Sequence, residues 1–369
     1  MRTAGLYLHI PFCVSKCAYC DFASWSGREA WMAPYADRAE AEIRAKSRRD
    51  VRIGSVYIGG GTPSVYPLPL LERLLKAMEG AFDFAPDCER TAEMNPGTVT
   101  PALLDLLKEH GFNRLSMGMQ CAQDALLEKL GRIHRRRDVE DSVRLIRRAG
   151  FDNYNLDLML GLPGQTMEDA AESIRLAAGL GCTHMSCYGL IVEEGTPLQA
   201  RVEKGEWVLP EPEEERKMYD LALVLTAKLG YHQYEISNFA LPGRECRHNV
   251  HVWKRGEYVG VGCAAAGFMD GVRYQNPRLL SDYLKGLPPE TEVIGREDAM
   301  FESVMLGLRM NEGITDREFY ARHGAHLEEV YGSRWAGALR NGLLSWEGGR
   351  LRLTRRGMDV QNSVLVDLM

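Results

Sequence analysis

Three cysteines fall within eight residues, Cys13-Val-Ser-Lys-Cys17-Ala-Tyr-Cys20, directly behind an apolar run from Leu6 to Ile10 that reads as a strand. Three thiolates on one tight loop can hold three irons of a [4Fe–4S] cube, whereas an electron-transfer ferredoxin supplies four. The fourth iron is then open to a substrate. A zinc site completed by His9 or a remote cysteine is the alternative, although zinc spacings usually come in pairs and no second pair occurs. Nine cysteines is an odd number, and the N-terminus shows no charged-then-apolar signal pattern, which argues against a disulfide framework. Cys88, Cys121, Cys182, Cys187 and Cys263 read as small buried hydrophobes.

Such a loop needs a frame to hold it. Strand-like runs at Leu6 to Ile10, Ser55 to Ile58, Thr91 to Met94, Arg114 to Met117, Asn155 to Leu160 and His184 to Val192 alternate with amphipathic stretches. The latter are Tyr35 to Lys46, Leu68 to Phe82, Pro101 to His110, Val139 to Ala149 and Met167 to Leu180. Thr100-Pro101 reads as an N-cap followed by a first-turn proline, and Gly111, Gly150 and Gly181 read as helix stops. Six β/α repeats predict an α/β fold whose parallel sheet curls into a barrel or a large part of one, with the working surface at the carboxyl ends of the strands.

Past Pro197 the rhythm changes. Glu213 to Gly230 predicts one more helix, Tyr234-Glu235-Ile236 a strand, and Leu351 to Thr354 part of a hairpin in a small winged-helix-like module. The expected division is a barrel core over 1–200, an extension over 201–290 and a smaller C-terminal α+β region over 291–369. The 369 residues are 45% hydrophobic and 26% charged with a net charge of −6, which rules down a disordered chain, a collagen-like fibre and a basic nucleic-acid binder. No apolar run reaches the roughly 18 residues that span a bilayer, and a cytoplasmic location is expected.

The cysteine loop and its setting, Leu6-Tyr7-Leu8-His9-Ile10-Pro11-Phe12-Cys13, resemble the radical S-adenosylmethionine (SAM) enzymes, and within them the oxygen-independent coproporphyrinogen III oxidase branch. Gly59-Gly60-Gly61-Thr62-Pro63-Ser64, Glu93-Met94-Asn95-Pro96, Ser116-Met117-Gly118-Met119-Gln120 and Asp157 to Thr166 match that branch as well. The resemblance implies a partial (β/α)6 barrel with a [4Fe–4S] cluster on Cys13, Cys17 and Cys20 and with SAM on the open iron. It places Gly60, Gly61 and Thr62 at the amino end of SAM, Glu93 against its positive charge, and Gln120, Arg132 and Asp157 on its polar groups. Tyr7 and Tyr19 fall nearby, and Ile191 at the adenine. Read alone, the glycines could form a tight turn, Glu93 could pair with Arg114, Arg132 could belong to a solvated basic face, and the tyrosines could be core. The implied chemistry is one-electron reduction of SAM to methionine and a 5′-deoxyadenosyl radical, for which the protein orients the cofactors and excludes water.

Two departures separate the chain from the oxidases. Their fourth cysteine, two residues after the third, is replaced by Phe22, and their longer N-terminal arm contrasts with the twelve residues before Cys13. Both match the heme chaperones of the same branch. Arg247-His248-Asn249-Val250-His251-Val252-Trp253 resembles the His-Asn-x-x-Tyr-Trp element tied to heme in that subgroup, with Val252 in the tyrosine position. His248 is the expected axial ligand, His251 and Cys246 are other possible ligands, and Trp253 is expected to pack on the macrocycle; a buried structural histidine is the alternative. The resemblance further implies a heme-accepting respiratory protein as partner, a small electron donor if SAM is cleaved, and peripheral membrane association, with no nucleic acid. Porphyrinogen decarboxylation is the competing function. Glu302 and Arg309 read as structural.

Overall fold

The computed structural model describes residues 2–369. Six strands, β1 (Arg2–Ile10), β2 (Arg48–Gly60), β3 (Phe82–Met94), β4 (Arg114–Gln120), β5 (Tyr154–Leu160) and β6 (His184–Gly189), lie side by side in chain order, each parallel to the next. Parallel neighbours need crossovers. These are the helices α1 (Met32–Ala45), α2 (Leu68–Ala81), α3 (Pro101–Glu109), α4 (Asp124–Lys129), α5 (Arg136–Arg148) and α6 (Met167–Leu180). Leu6, Leu8 and Ile10 share one core with Ala36, Ala39 and Ile43 of α1, which leaves the alternate residues Tyr7 and His9 for the opposite face. Thr100 caps α3, its Oγ1 accepting the Leu103 amide at 3.2 Å, and Gly181 closes α6 in the left-handed conformation.

The segment after β6 extends the same sheet at both edges. Helices α7 (Pro197–Glu203) and α8 (Pro212–Lys228) lead to β7 (His232–Gln233) and β8 (Asn238–Ala240), and β8 pairs antiparallel with β6. The chain then crosses through α9 (Arg247–Trp253) to the far edge, where β9 (Tyr258–Val261) adds parallel to β1. Strands β10 (Ala266–Met269), β11 (Val272–Gln275) and β12 (Glu290–Val293) follow antiparallel, giving an open twelve-stranded sheet among the described residues.

Two strand expectations are corrected. The run expected to Val192 ends at Gly189, and Tyr234 to Ile236 form the connection between β7 and β8 rather than a strand. Glu235 explains the second. Its buried carboxylate accepts the Ser237 amide at 3.0 Å, a local side-chain bond that favours a turn over a ladder, and pairs with Arg309 at 2.7 Å.

The C-terminal part has its own core, built on Val304, Leu308, Phe319, Leu327, Leu351 and Leu368, beside a small sheet of β13 (Ile314–Thr315), β14 (Leu344–Glu347) and β15 (Arg350–Leu353). Glu302 ties it to the large sheet by ion pairs to Arg255 (2.9 Å) and Arg273 (2.6 Å). Glu302 and Arg309 are thus both structural.

Glu42 locks the returning edge onto α1. Its buried carboxylate accepts from Tyr283 Oη (2.6 Å), Asn276 Nδ2 (2.7 Å), the Gly262 amide (3.0 Å) and Lys46 Nζ (2.6 Å). Removing one partner of a buried, paired charge strands the rest, so Glu42→Ala is expected to lower unfolding stability by about 3–5 kcal/mol, read from the denaturant midpoint. A loss under about 1 kcal/mol, the range of a surface pair, would contradict this role.

Candidate functional site

The residues of β2 to β6 that face away from the helices are polar and two apart, the period of a strand. Glu93 and Asn95, Arg114, Ser116, Gly118 and Gln120, Asn155 and Asp157, and His184 and Ser186 line one cavity of about 310 Å³ inside the arc. The cysteine loop forms its upper wall, with Cys13, Cys17 and Cys20 all lining it.

These three thiols are partly accessible, whereas the other six cysteines are buried. Two of them are hydrogen-bond acceptors. Thr62 Oγ1 donates to Cys13 Sγ at 3.6 Å, and Arg132 Nη1 donates to Cys17 Sγ at 3.4 Å. Arg132 is fixed by further bonds to Asn95 Oδ1 (2.9 Å) and the Gly118 carbonyl (2.7 Å), and Asn95 Nδ2 donates to Thr62 Oγ1 (2.8 Å), so one network orients both donors. Gly118 leaves the room, since a Cβ there would lie 2.7 Å from Gln120 Nε2 and 3.2 Å from Arg132 Nη2. Gln120 itself takes φ +67° at a β-bulge, which turns its side chain into the cavity.

The zinc alternative fails on its fourth ligand. His9 Nε2 must donate to the Ala23 carbonyl (2.9 Å), so Nδ1 accepts from Tyr7 Oη (2.9 Å) and neither nitrogen is free. Among the described residues no three His, Cys, Asp or Glu side chains gather closely enough to enclose a single ion.

Beside Cys13, the amides of Gly60, Gly61 and Thr62 are spent within the chain on Glu93 Oε2 (3.1 Å), the Ile10 carbonyl (2.8 Å) and the Phe12 carbonyl (2.8 Å). The turn therefore has no free amide for a ligand, and its Thr62 carbonyl accepts the Val65 amide at 3.0 Å. A Cβ at Gly61 would meet the Phe12 carbonyl at 2.7 Å, so this approach requires glycine. Glu93 Oε1 accepts from Tyr57 Oη at 2.7 Å and forms no ion pair with Arg114. Burial raises Glu93 to about 7 against the Tyr57 hydrogen bond, and Asp157 adds to the rise; burial also raises Asp157, whose Oδ1 accepts from Asn155 (2.7 Å). Burial makes both carboxyls harder to ionise than usual, and a cation beside them would offset that.

A second, more open cleft of about 400 Å³ lies between β1 and the returning edge, and it shares Phe22, Gly60 and Glu93 with the first cavity. His248 forms part of its wall. The imidazole is 6% exposed, its Nδ1 lies 3.0 Å from Ser55 Oγ, and its ring stands 5.4 Å from that of Tyr57. In the tautomer whose Nδ1–H donates to Ser55 Oγ, Nε2 keeps its lone pair for a ligand. Burial lowers this histidine to about 3, so it is neutral at any physiological pH.

Residues 7–177 match the model of the Radical SAM superfamily and residues 294–360 that of the HemN C-terminal domain. The chain is 36% identical to heme chaperone HemW of Lactococcus lactis over 97% of its own length and 95% of that protein's. It is also 36% identical to heme chaperone HemW of Bacillus subtilis (97% of each chain) and 33% identical to that of Escherichia coli (98% and 97%). It belongs to the HemW family. The fold is that of the Escherichia coli coproporphyrinogen III oxidase HemN, with a TM-score of 0.87 and 22% identity, covering all of this chain and 90% of that one.

Of the residues expected from the sequence, this HemW-family chain brings Cys13, Cys17, Cys20, Tyr19, Gly60, Gly61, Thr62, Glu93, Gln120, Arg132 and Asp157 into the first cavity. Tyr7 lies beside His9 and lines the cleft, whose wall includes Gly60 and Glu93 of the first cavity. Ile191 stands 67% exposed beyond β6. Trp253 is a correction. Arg309 covers its ring at 4.3 Å and Tyr234 and Met310 pack beside it, so a position inside this cluster replaces the expected one on a macrocycle. Of the other possible ligands, His251 Nε2 donates to the Glu257 carbonyl (2.7 Å), and Cys246 is 1% exposed with its thiol donating to Glu89 (3.7 Å). Sequence reading passed over Tyr57, Asn95, Asn155 and Ser55, which hold Glu93, Arg132, Asp157 and His248 in place. Their period-2 spacing within the strands was the available signal.

Glu93 carries a pH prediction. A group at about 7 is mostly protonated at pH 6 and mostly ionised at pH 8, and a cationic ligand favours the ionised form. SAM affinity is therefore expected to rise about tenfold from pH 6 to pH 8, with proton release on binding at the lower pH. Glu93→Gln should bind more weakly and without this slope. Calorimetry in buffers of different ionisation enthalpy checks it, and a slope kept by Glu93→Gln would contradict it.

Proposed function

We propose that the chain is a heme chaperone that binds heme in the cleft walled by His248, carries a cluster and SAM in the adjoining cavity, and passes heme to an acceptor protein. The observation that carries this reading is His248: a neutral, oriented imidazole at the wall of an open cleft that shares three residues with the cysteine-lined cavity. Curated relatives named as heme chaperones support it over nearly the whole chain.

In this reading Cys13, Cys17 and Cys20 hold a [4Fe–4S] cluster, and Thr62 and Arg132 hydrogen-bond to two of its sulfur ligands. Hydrogen bonds to cluster sulfurs raise the reduction potential. When bound, the cluster supplies an open iron for SAM and an electron for its sulfonium. Glu93 and Asp157 take the positive charge of SAM, the Gly60 to Thr62 turn stands at its amino end, and Tyr19, Gln120 and Arg132 complete the wall. Phe22, 61% exposed where the two cavities meet, gives heme an apolar edge in place of a fourth thiol. The acceptor is a respiratory heme protein, met in the cytoplasm or at the membrane surface, and a small redox protein serves the cluster where SAM is cleaved. Among the described residues no helix is long and apolar enough to cross a membrane.

The test is transfer. Anaerobic, cluster-loaded protein charged with heme should give it up to an apo-heme protein, followed by the acceptor's own absorbance, and should leave coproporphyrinogen III unchanged. Decarboxylation of that substrate without heme transfer would replace the chaperone reading with the enzyme.

A further inference from the structure

Arg278 is the only arginine or lysine among the described residues that line the cleft. It follows β11 and is exposed, and its one side-chain hydrogen bond among the described residues is a long one, from Nη2 to the Asp21 carbonyl at 3.5 Å. The backbone beneath it, by contrast, is fixed. The Ala264 amide donates to the Pro277 carbonyl (3.0 Å), the Cys263 thiol donates to the Pro277 and Arg278 carbonyls (3.3 Å each), and Asn276 is tied through Nδ2 to Glu42. Ala264 takes φ +59° beside this contact, a left-handed conformation that is costly for a residue with a β-carbon, and such strain collects where ligands are held. A rigid root under a free guanidinium suits an anion that arrives from outside.

Position and lining say which anion. His248 sits against Gly5 of β1 and Ser55 of β2, and from β1 the sheet runs through β9 and β10 to β11 and Arg278. Tyr258 of β9 and Ala266 of β10 line the cleft between the two, and Ala23, Val252 and Ala264 add apolar surface. The cleft thus presents a metal-ligating nitrogen toward one side, a broad apolar wall and a cation toward the other. Its remaining charged lining groups are the carboxyls of Asp21 and Glu93, which repel an anion, so a carboxylate arm on a ligand held by His248 is drawn to Arg278. Gln275, three residues earlier, lines the same wall and offers an amide donor. We propose that Arg278, with Gln275 beside it, binds one propionate of heme at the far side of the cleft from the iron ligand. This rests on the chaperone reading above and adds to it the polar end of the ligand.

The experiment titrates heme and its dimethyl ester, in the same cosolvent, into anaerobic cluster-loaded wild type, Arg278→Gln, Arg278→Glu and Arg278→Lys. Arg137→Glu controls for a change of net charge, since Arg137 on α5 is 87% exposed and lines neither cavity. Wild type is expected to bind the diacid about three- to fivefold tighter than the diester at low ionic strength, the size of an exposed charge pair, with the preference fading in about 0.5 M salt. Arg278→Gln should lose the preference, Arg278→Glu should invert it, Arg278→Lys should keep part of it and Arg137→Glu all of it. Because Arg278 is exposed, iron content, SAM affinity and melting temperature should stay at wild-type values in each variant. A preference kept by Arg278→Gln, one lost equally in Arg137→Glu, or a fall in SAM affinity in place of the lost preference would overturn the assignment. If wild type binds heme without discriminating the ester, this inference alone falls; if it binds neither form, the chaperone reading falls and takes the inference with it.

Discussion

Cys17→Ala is expected to retain less than about a tenth of the wild-type iron and sulfide after anaerobic reconstitution, and to lose SAM binding with it. Two thiolates cannot hold a cube whose fourth iron is already open to substrate, and no spare ligand stands nearby. His9 is engaged at both nitrogens, and the six remaining cysteines are buried. The loss also strips Arg132 of one acceptor while leaving its bonds to Asn95 and Gly118, so the cavity wall should persist. Because Cys17 is only partly buried, the apo-fold should survive, with the far-ultraviolet spectrum and melting temperature close to those of apo wild type. Buried Cys121, changed to Ala, serves as the comparison and should keep its iron. Full iron and sulfide in Cys17→Ala, or stoichiometric zinc in its place, would contradict the ligand set.

His248→Ala has the opposite signature: iron, sulfide and SAM binding intact, heme affinity down by at least about tenfold, and an altered heme spectrum from loss of an axial nitrogen. The pH dependence sharpens it. A protonated imidazole cannot ligate iron, and burial keeps this one neutral down to about pH 3. Heme affinity should therefore be flat between about pH 5.5 and 8 insofar as His248 sets it, and should fall only in strong acid. An inflection near 6.5, the ordinary histidine value, would assign the iron to a solvated histidine instead.

Much of this was readable from residue order. The six β/α repeats, the Thr100 cap and the Gly181 stop are local effects, and local effects are written in consecutive residues. The cluster loop was legible because three thiols in eight residues have few other uses. What the chain does at the edges of its sheet was not. Strand β12, Glu290-Thr291-Glu292-Val293, is exposed throughout and shows no apolar alternation, and it is a strand only because β11 pairs with it. Tyr234 to Ile236 has the composition of a strand, but Glu235 spends its carboxylate on the following backbone. Trp253 reads as a free aromatic until Arg309, 56 positions later in the sequence, covers it. The lining of the first cavity was legible in principle, since Arg114 with Ser116, Asn155 with Asp157 and His184 with Ser186 repeat a polar residue at every second position of otherwise apolar strands.

The central claim is that this chain binds heme beside its cluster, and an anaerobic titration of cluster-loaded, SAM-bound wild type with heme tests it most directly. The account predicts saturation at one heme per chain, with the spectrum of a histidine-ligated iron and no loss of cluster absorbance. Failure to saturate, or heme that binds only as the cluster is lost, would contradict it.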